Sequence, residues 1–317
     1  MGRSTTIALI RICHVPFEAC DNTKNFIRVL FVDFSKAFDL IDHGTLYTKF
    51  IECHFPPHLS AWSLSFLEGR KQFVKVGNWT SSILSTKCGA PQGTRAGPNV
   101  FKLLSNDLRF DLPYVKYVDD LSLASISTDP NDSALQEAVN QLGHWCCLNG
   151  MCLNTRKTKE MLIHFGKRCD KDAISSIHVD GSTLERVETF KLLGVYLSSD
   201  MNWSVHIDYI VSKAAKRFFV ISQLVRSGVD KTDIVLVYCA IIRSVLEYAC
   251  QVWHCGLTKT QACEVENVQS RCLRIIYPAL SYADALSVTG LDRLDDRRER
   301  MVHELFNEVK GPGHALN

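Results

Sequence analysis

The 317-residue chain contains no run of eighteen consecutive apolar residues, so it offers no candidate transmembrane helix. Its opening, MGRSTTIALIRICHV, is too polar for a secretory leader and reads instead as an amphipathic helix. None of its thirteen cysteines forms a C-x-x-C pair, so the usual zinc and redox spacings are missing. Cys250, His254 and Cys255 are close in sequence, but they flank Trp253 in an apolar helical stretch, which favours packing over metal ligation. An odd cysteine count without a leader argues for reduced thiols, and so for the cytosol or nucleus. Neither charge dominates: thirty-six basic against thirty-four acidic side chains leave +2. The basic footprint that usually marks a nucleic-acid binder is weak over the whole chain. Glycine and proline are scattered, and there is no internal repeat or low-complexity linker.

What charge imbalance exists is local. Residues 1–149 are balanced, residues 150–226 carry twelve basic and eight acidic side chains, and residues 227–317 carry ten and twelve. The length permits one to three domains. Hydrophobic spacing predicts a helix over 3–18, a strand over 26–33 and helices near 44–53 and 57–68. QFVKVG and ILSTKC, either side of NWTSS, read as a hairpin. Residues 131–149 place Leu135, Val139, Leu142 and Trp145 at helical intervals. Short strands are expected near 160–165, 176–179 and 190–197. From Trp203 the pattern is helical, with breaks near Gly228, Gly256 and Pro278.

The most informative feature is a set of three carboxylates at strand ends. IRVLFV runs into Asp33, and YVKYV runs into Asp119-Asp120. Two divalent metals that clamp a nucleotide phosphate need such oxygens and stabilise both the attacking and the leaving oxygen. Magnesium takes one or two carboxylates plus substrate phosphates. Each residue also has a plainer reading. Asp33 fits a cap at a helix start in SKAF, and Asp119-Asp120 fits a hairpin turn. A turn and a metal site are compatible.

The surrounding residues resemble a known family. FVDFSKAFDLIDH resembles motif A of the reverse transcriptases of non-LTR (LINE-type, jockey-like) retrotransposons. GAPQGTRAGPNVFKLLSNDL (89–108) resembles motif B, YVDD (117–120) motif C and LNTRKTKEMLIHF (153–165) motif D. FKLLGVYLSSDMNWSVHI (190–207) is similar to motif E and the start of the thumb. Order and spacing match, and VYCAIIRSVLEYACQVWHCGLTKTQ with the later RRER resembles the region that follows the polymerase.

That resemblance implies roles. Asp33 and Asp119 would bridge two Mg2+ ions, or Mn2+ in their place, with Asp120 as the outer ligand. Phe38 would be the gate against ribonucleotides; a bulky ring there crowds the 2′-hydroxyl that distinguishes RNA from DNA, although a core aromatic on a short helix fits as well. Gln92 and Gly93 would contact the incoming nucleotide or template, and Arg95 could reach a phosphate or lie solvated in the loop. The helix that follows, near 98–108, departs from the family's apolar pattern at Ala96, Lys102 and Ser105. Lys157 would be the motif D lysine, a general acid toward the leaving pyrophosphate; such donors contribute about 10²–10⁴-fold. Lys213, Lys216 and Arg217 share one helical spacing after Trp203. They read either as a duplex-facing thumb surface or as a solvated face.

The expected fold is α+β: a polymerase palm, an antiparallel sheet with packed helices, over residues 1–200, then an all-α thumb and helical tail over 201–317. The expected reaction is RNA-templated addition of deoxynucleotides to a primer 3′-hydroxyl, with RNA template, DNA primer and deoxynucleoside triphosphates as partners. By the same resemblance the chain carries neither the fingers that hold the triphosphate nor the upstream endonuclease, so little primer extension by these residues alone is expected. A non-catalytic nucleic-acid-binding or interaction remnant is the competing class, and an intron-type maturase scaffold fits the motif wording less well. Oligomeric state is not legible.

Overall fold

The computed structural model describes residues 4–19, 26–165, 173–311 and 316. These form two compact units, residues 18–187 and residues 1–17 together with 188–317. The sequence placed a division near residue 200. In the structure Tyr248 donates from its hydroxyl to the Leu193 carbonyl (2.8 Å) and lies 3.3 Å from Thr5 Oγ1. The chain's first helix and the motif E hairpin are thereby tied to the helical unit.

Helix α1 (Thr5–Ala19) contains Pro16; residue 3, where this helix was expected to start, lies outside the described residues. In the 18–187 unit, β1 (Phe26–Val32) is buried along its whole length. Helices α2 (His43–Glu52) and α3 (Pro57–Leu67) follow. The Asp42 carboxylate accepts from the Thr45 amide at 2.7 Å, which satisfies one of the free donors at the start of α2. Next come four two-residue strands, β2 (Lys71–Gln72), β3 (Lys75–Val76), β4 (Trp79–Thr80) and β5 (Leu84–Ser85), paired β2 with β5 and β3 with β4. A hairpin is present as expected, but it turns at Gly77-Asn78, and Trp79–Thr80, expected within the turn NWTSS, pair as a strand. Helix α4 (Ala96–Leu104) leads to β6 (Tyr114–Tyr117), β7 (Asp120–Ser127), α5 (Ala134–Leu148) and β8 (Lys159–His164). A small hairpin, β9 (His178–Val179) with β10 (Ser182–Thr183), precedes β11 (Glu185–Arg186).

The main sheet runs β11-β8-β1-β7-β6. It is antiparallel except where β11 lies parallel to β8. Leu30, Val32, Leu121 and Leu123 pack with Phe101 and Leu104 of α4 and with Leu135, Val139, Leu142 and Trp145 of α5 in one core. The helical spacing read from 131–149 thus faces the sheet. Within apolar β1, Arg28 is 1% exposed and donates from Nε to Glu160 Oε1 at 2.7 Å. Arg186 donates to the other Glu160 oxygen at 2.8 Å, and both arginines also donate to the Ser175 carbonyl.

The second unit pairs β12 (Thr189–Leu192) with β13 (Val195–Ser198). It continues through α6 (Ser204–Ala215), α7 (Phe218–Arg226) and α8 (Lys231–Tyr238). A π-helical turn over Cys239–Arg243 passes into α9 (Ser244–Leu246) and α10 (Cys250–Trp253). Helices α11 (Lys259–Ile276), α12 (Tyr282–Thr289) and α13 (Leu294–Val309) complete it. Thr258 and Gln261 form a reciprocal capping box on α11. The buried chain Tyr238–Gln269–Tyr282–Glu266 ends with Glu266 accepting from the Leu294 and Asp295 amides at the start of α13. His254 accepts from Arg298 Nε at 3.3 Å, Cys250 and Trp253 are buried, and Cys255 is exposed. No helix among the described residues is long and apolar enough to cross a membrane.

Candidate active site

The backbone brings the three carboxylates to one end of the sheet. Val32 pairs with Leu121 across β1 and β7, and Tyr117 pairs with Asp120 across β6 and β7. Asp33 therefore stands one residue beyond a register that leads to Asp120, and Asp119 occupies the two-residue turn with Val118. That turn needs a positive φ, and Val118 supplies it at +58°. A β-branched residue pays for this conformation with about 1–3 kcal/mol of strain; the Val118 side chain packs against the main core, which holds it there.

Asp33 is also fixed from the other side. Its amide donates to Thr158 Oγ1 (3.2 Å), its carbonyl accepts from the Asn154 amide (2.8 Å), and the Ser35 amide donates to Cys152 (2.8 Å). The motif D loop is thus an extra partner for motif A. Lys157 Nζ lies 3.8 Å from Asp33 Oδ2, with the lysine side chain 70% exposed. Asp120 is exposed as a residue, yet lost hydration, then the charges of Asp119 and Asp33, push its carboxyl up to about 6. As they stand, no three His, Cys, Asp or Glu side chains among the described residues are grouped to enclose a metal ion.

The stretch after Asp33 is a series of turns, with no helix before α2. This corrects the expectation of a helix start in SKAF: Lys36 adopts φ +50° and its carbonyl accepts from Asp39 and Leu40. Phe38 is half-buried, its ring 5.7 Å from that of Phe101. The motif B loop is bonded to it, since the Ala90 amide donates to the Phe38 carbonyl (2.8 Å) and the Gly89 amide to Ile41 (2.7 Å). Gly89 has φ +84°, and a Cβ there would lie 2.9 Å from the Phe38 and Asp39 carbonyl oxygens. Arg70 and the His43 Nε2–H donate to the Gly89 carbonyl. Gln92, Gly93 and Arg95 are exposed on the loop before α4. Thr94 closes that loop, donating to the Pro91 carbonyl and accepting from the Gly97 amide. Helix α4 starts at Ala96, two residues before the expected position, and turns Lys102 to solvent while burying Val100, Phe101 and Leu104.

A reverse transcriptase (RNA-dependent DNA polymerase) family match covers residues 3–197. The chain belongs to the reverse transcriptase family. Relatives of this reverse transcriptase include the RNA-directed DNA polymerase from mobile element jockey of Drosophila melanogaster, 26% identical over all of this chain and 36% of its own length. Another is the probable RNA-directed DNA polymerase from Drosophila transposon BS, 25% identical over 87% of this chain and 31% of its own. The non-LTR retrotransposon character read from the motifs is therefore shown. The chain spans about a third of the length of these curated relatives. A solved telomerase from Candida tropicalis, in complex with a telomeric RNA fragment, aligns over 99% of this chain and 51% of its own, at 12% identity and TM-score 0.47.

In the helical unit Lys213 and Lys216 are exposed on and just after α6. Arg217 is committed elsewhere: it donates to the Ile241 carbonyl, within the π-helical turn. Sequence spacing grouped three cations that the structure divides into two exposed and one structural. It also missed Thr158 and Thr94, whose hydroxyls bond backbone groups of the site, and Asn154, whose amide does. The glycine in GAPQG was legible from its tolerance of positive φ and close backbone approach.

Proposed function

We propose that this chain carries the polymerase core of a retrotransposon reverse transcriptase, extending a DNA primer by copying RNA from deoxynucleoside triphosphates. The observation that carries the reading is the convergence of Asp33, Asp119 and Asp120 at one sheet end, where Asp120 feels the charges of Asp119 and Asp33. The donor set is all hard oxygen, which suits Mg2+ or Mn2+, and that repulsion at Asp120 is what a bound cation would relieve. Asp33, Asp119 and Asp120 are the residues that would hold these ions. Divalent ions held there would supply charge stabilisation for the triphosphate and activation of the primer hydroxyl. Phe38, held by the Ala90 amide on its carbonyl and by the Phe101 ring, is assigned to exclude the ribose 2′-hydroxyl. Gln92 and Gly93 line the approach of template and nucleotide, with Arg95 within the same loop for a phosphate. Lys157 is assigned to protonate the pyrophosphate as it leaves. Lys213 and Lys216 are assigned to the nucleic-acid backbone. Residues 1–200 and 201–317 are read as palm and as thumb with tail, working in the cytosol or nucleus.

The test has two readouts. Titration of Mn2+ into the chain should give saturable binding that Asp33→Asn and Asp119→Asn each weaken at least ten-fold. Primer extension on an RNA template, with the upstream segment of a jockey-type relative supplied in cis, should vanish in Asp119→Asn. Lys157→Ala should slow it by about 10²–10⁴-fold. Extension that survives Asp119→Asn would refute the assignment.

A further inference from the structure

We propose that the arm formed by residues 70–87 is a landing surface for single-stranded RNA, outside the carboxylate site. Over residues 69–106 the chain has six basic side chains, Arg70, Lys71, Lys75, Lys87, Arg95 and Lys102, and no Asp or Glu. Every residue from 71 to 85 is exposed. Arg70 is used internally, donating to the Leu67 and Gly89 carbonyls. Lys71, Lys75 and Lys87 form no ion pair among the described residues. Two rings stand among these cations with unusual exposure, Phe73 at 54% and Trp79 at 85%.

The arm is a built element. The β2–β5 and β3–β4 ladders are joined where the Ser81 amide donates to the Val74 carbonyl (2.9 Å) and Ser81 Oγ accepts from the Val74 amide (2.9 Å). Its root, Arg70 with Gly89, is bonded to the loop that carries Phe38, so a strand engaged by the arm lies beside the candidate active site. Exposed rings offer a face to any base, and stacking of this kind tolerates sequence. Unpaired lysines around them meet the phosphates between bases. A protein partner would explain the exposed Val74, Val76 and Ile83, but an arm with four cations, three of them lysines without an ion pair among the described residues, and no carboxylate is complementary to a polyanion. The choice of RNA over DNA rests on the polymerase reading above; the arm's affinity for a single strand does not.

The test is fluorescence anisotropy of the 317-residue chain with a labelled uridine oligomer, in chelator and without triphosphate, so that it is independent of catalysis. Trp79→Ala and Phe73→Ala should each weaken binding by about five- to a hundred-fold, and Trp79→Phe should retain it. Replacing Lys71, Lys75 and Lys87 together by glutamine should flatten the slope of log K against log salt by about 2. Circular dichroism should match wild type in each, as expected for exposed positions. Unchanged affinity and slope would overturn the proposal. So would a Trp79→Ala variant that binds RNA normally but loses a self-association, which would make the arm a protein interface. Tighter binding of the matched DNA strand would overturn the choice of RNA.

Discussion

Replacing Glu160 by glutamine tests what holds the end of the sheet that carries Asp33. Glu160 is fully buried and accepts from two arginines, Arg28 at 2.7 Å and Arg186 at 2.8 Å. Glutamine keeps the shape, loses the charge and turns an N–H₂ toward a guanidinium. Arg28, 1% exposed, then keeps an uncompensated charge inside the sheet; breaking a buried pair in this way costs about 3–5 kcal/mol. Arg186 is 25% exposed on its side chain, and solvent screens it, so Arg186→Met should cost only about 1 kcal/mol. Arg28→Met combined with Glu160→Leu removes both buried charges and should recover most of the loss. Hydrogen exchange of the β1 and β8 amides reads the opening free energy of this unit directly. Because β8 starts next to Thr158, which holds the Asp33 amide, Mn2+ affinity should fall alongside. A Glu160→Gln cost below about 1 kcal/mol, or an Arg186→Met cost equal to that of Glu160→Gln, would refute the reasoning.

Gly89→Ala should destabilise the 18–187 unit by about 2–4 kcal/mol, from positive φ plus contact with two carbonyl oxygens, read as a drop in melting temperature. Asp120→Asn should stabilise the chain at pH 7.5 by about 1 kcal/mol after solvent screening, and not at pH 4. The sign follows because the folded carboxyl is raised to about 6: its stability contribution is present below the unfolded value and is lost as pH rises through 6. A melting series across pH checks it. Arg217→Ala should lower stability by about 1 kcal/mol through loss of its bond to the Ile241 carbonyl, with RNA–DNA hybrid binding unchanged. Lys213→Glu should do the reverse, weakening binding and flattening its salt slope.

The sequence by itself determined the family and the elements that carry it. The apolar run of β1, the 3–4 spacing of Leu135, Val139, Leu142 and Trp145, and five motifs in order are local patterns, legible because strands and helices repeat at fixed periods. What the tertiary structure decided is where non-local partners act. No sequence period says that Asn154 and Thr158 grip the backbone of Asp33, or that Gly89 must come within van der Waals reach of Phe38. The same holds for Arg217, whose helical spacing with Lys213 and Lys216 is real but whose side chain bonds the Ile241 carbonyl in the π-helical turn. In the SKAF stretch the Lys36 carbonyl is taken by the Asp39 and Leu40 amides and the Phe38 carbonyl by Ala90 of the motif B loop, in place of a helix. Arg28 inside an apolar strand looks like an error until Glu160, more than a hundred residues away, is folded against it; the desolvation cost of a buried charge is settled only by its three-dimensional partners.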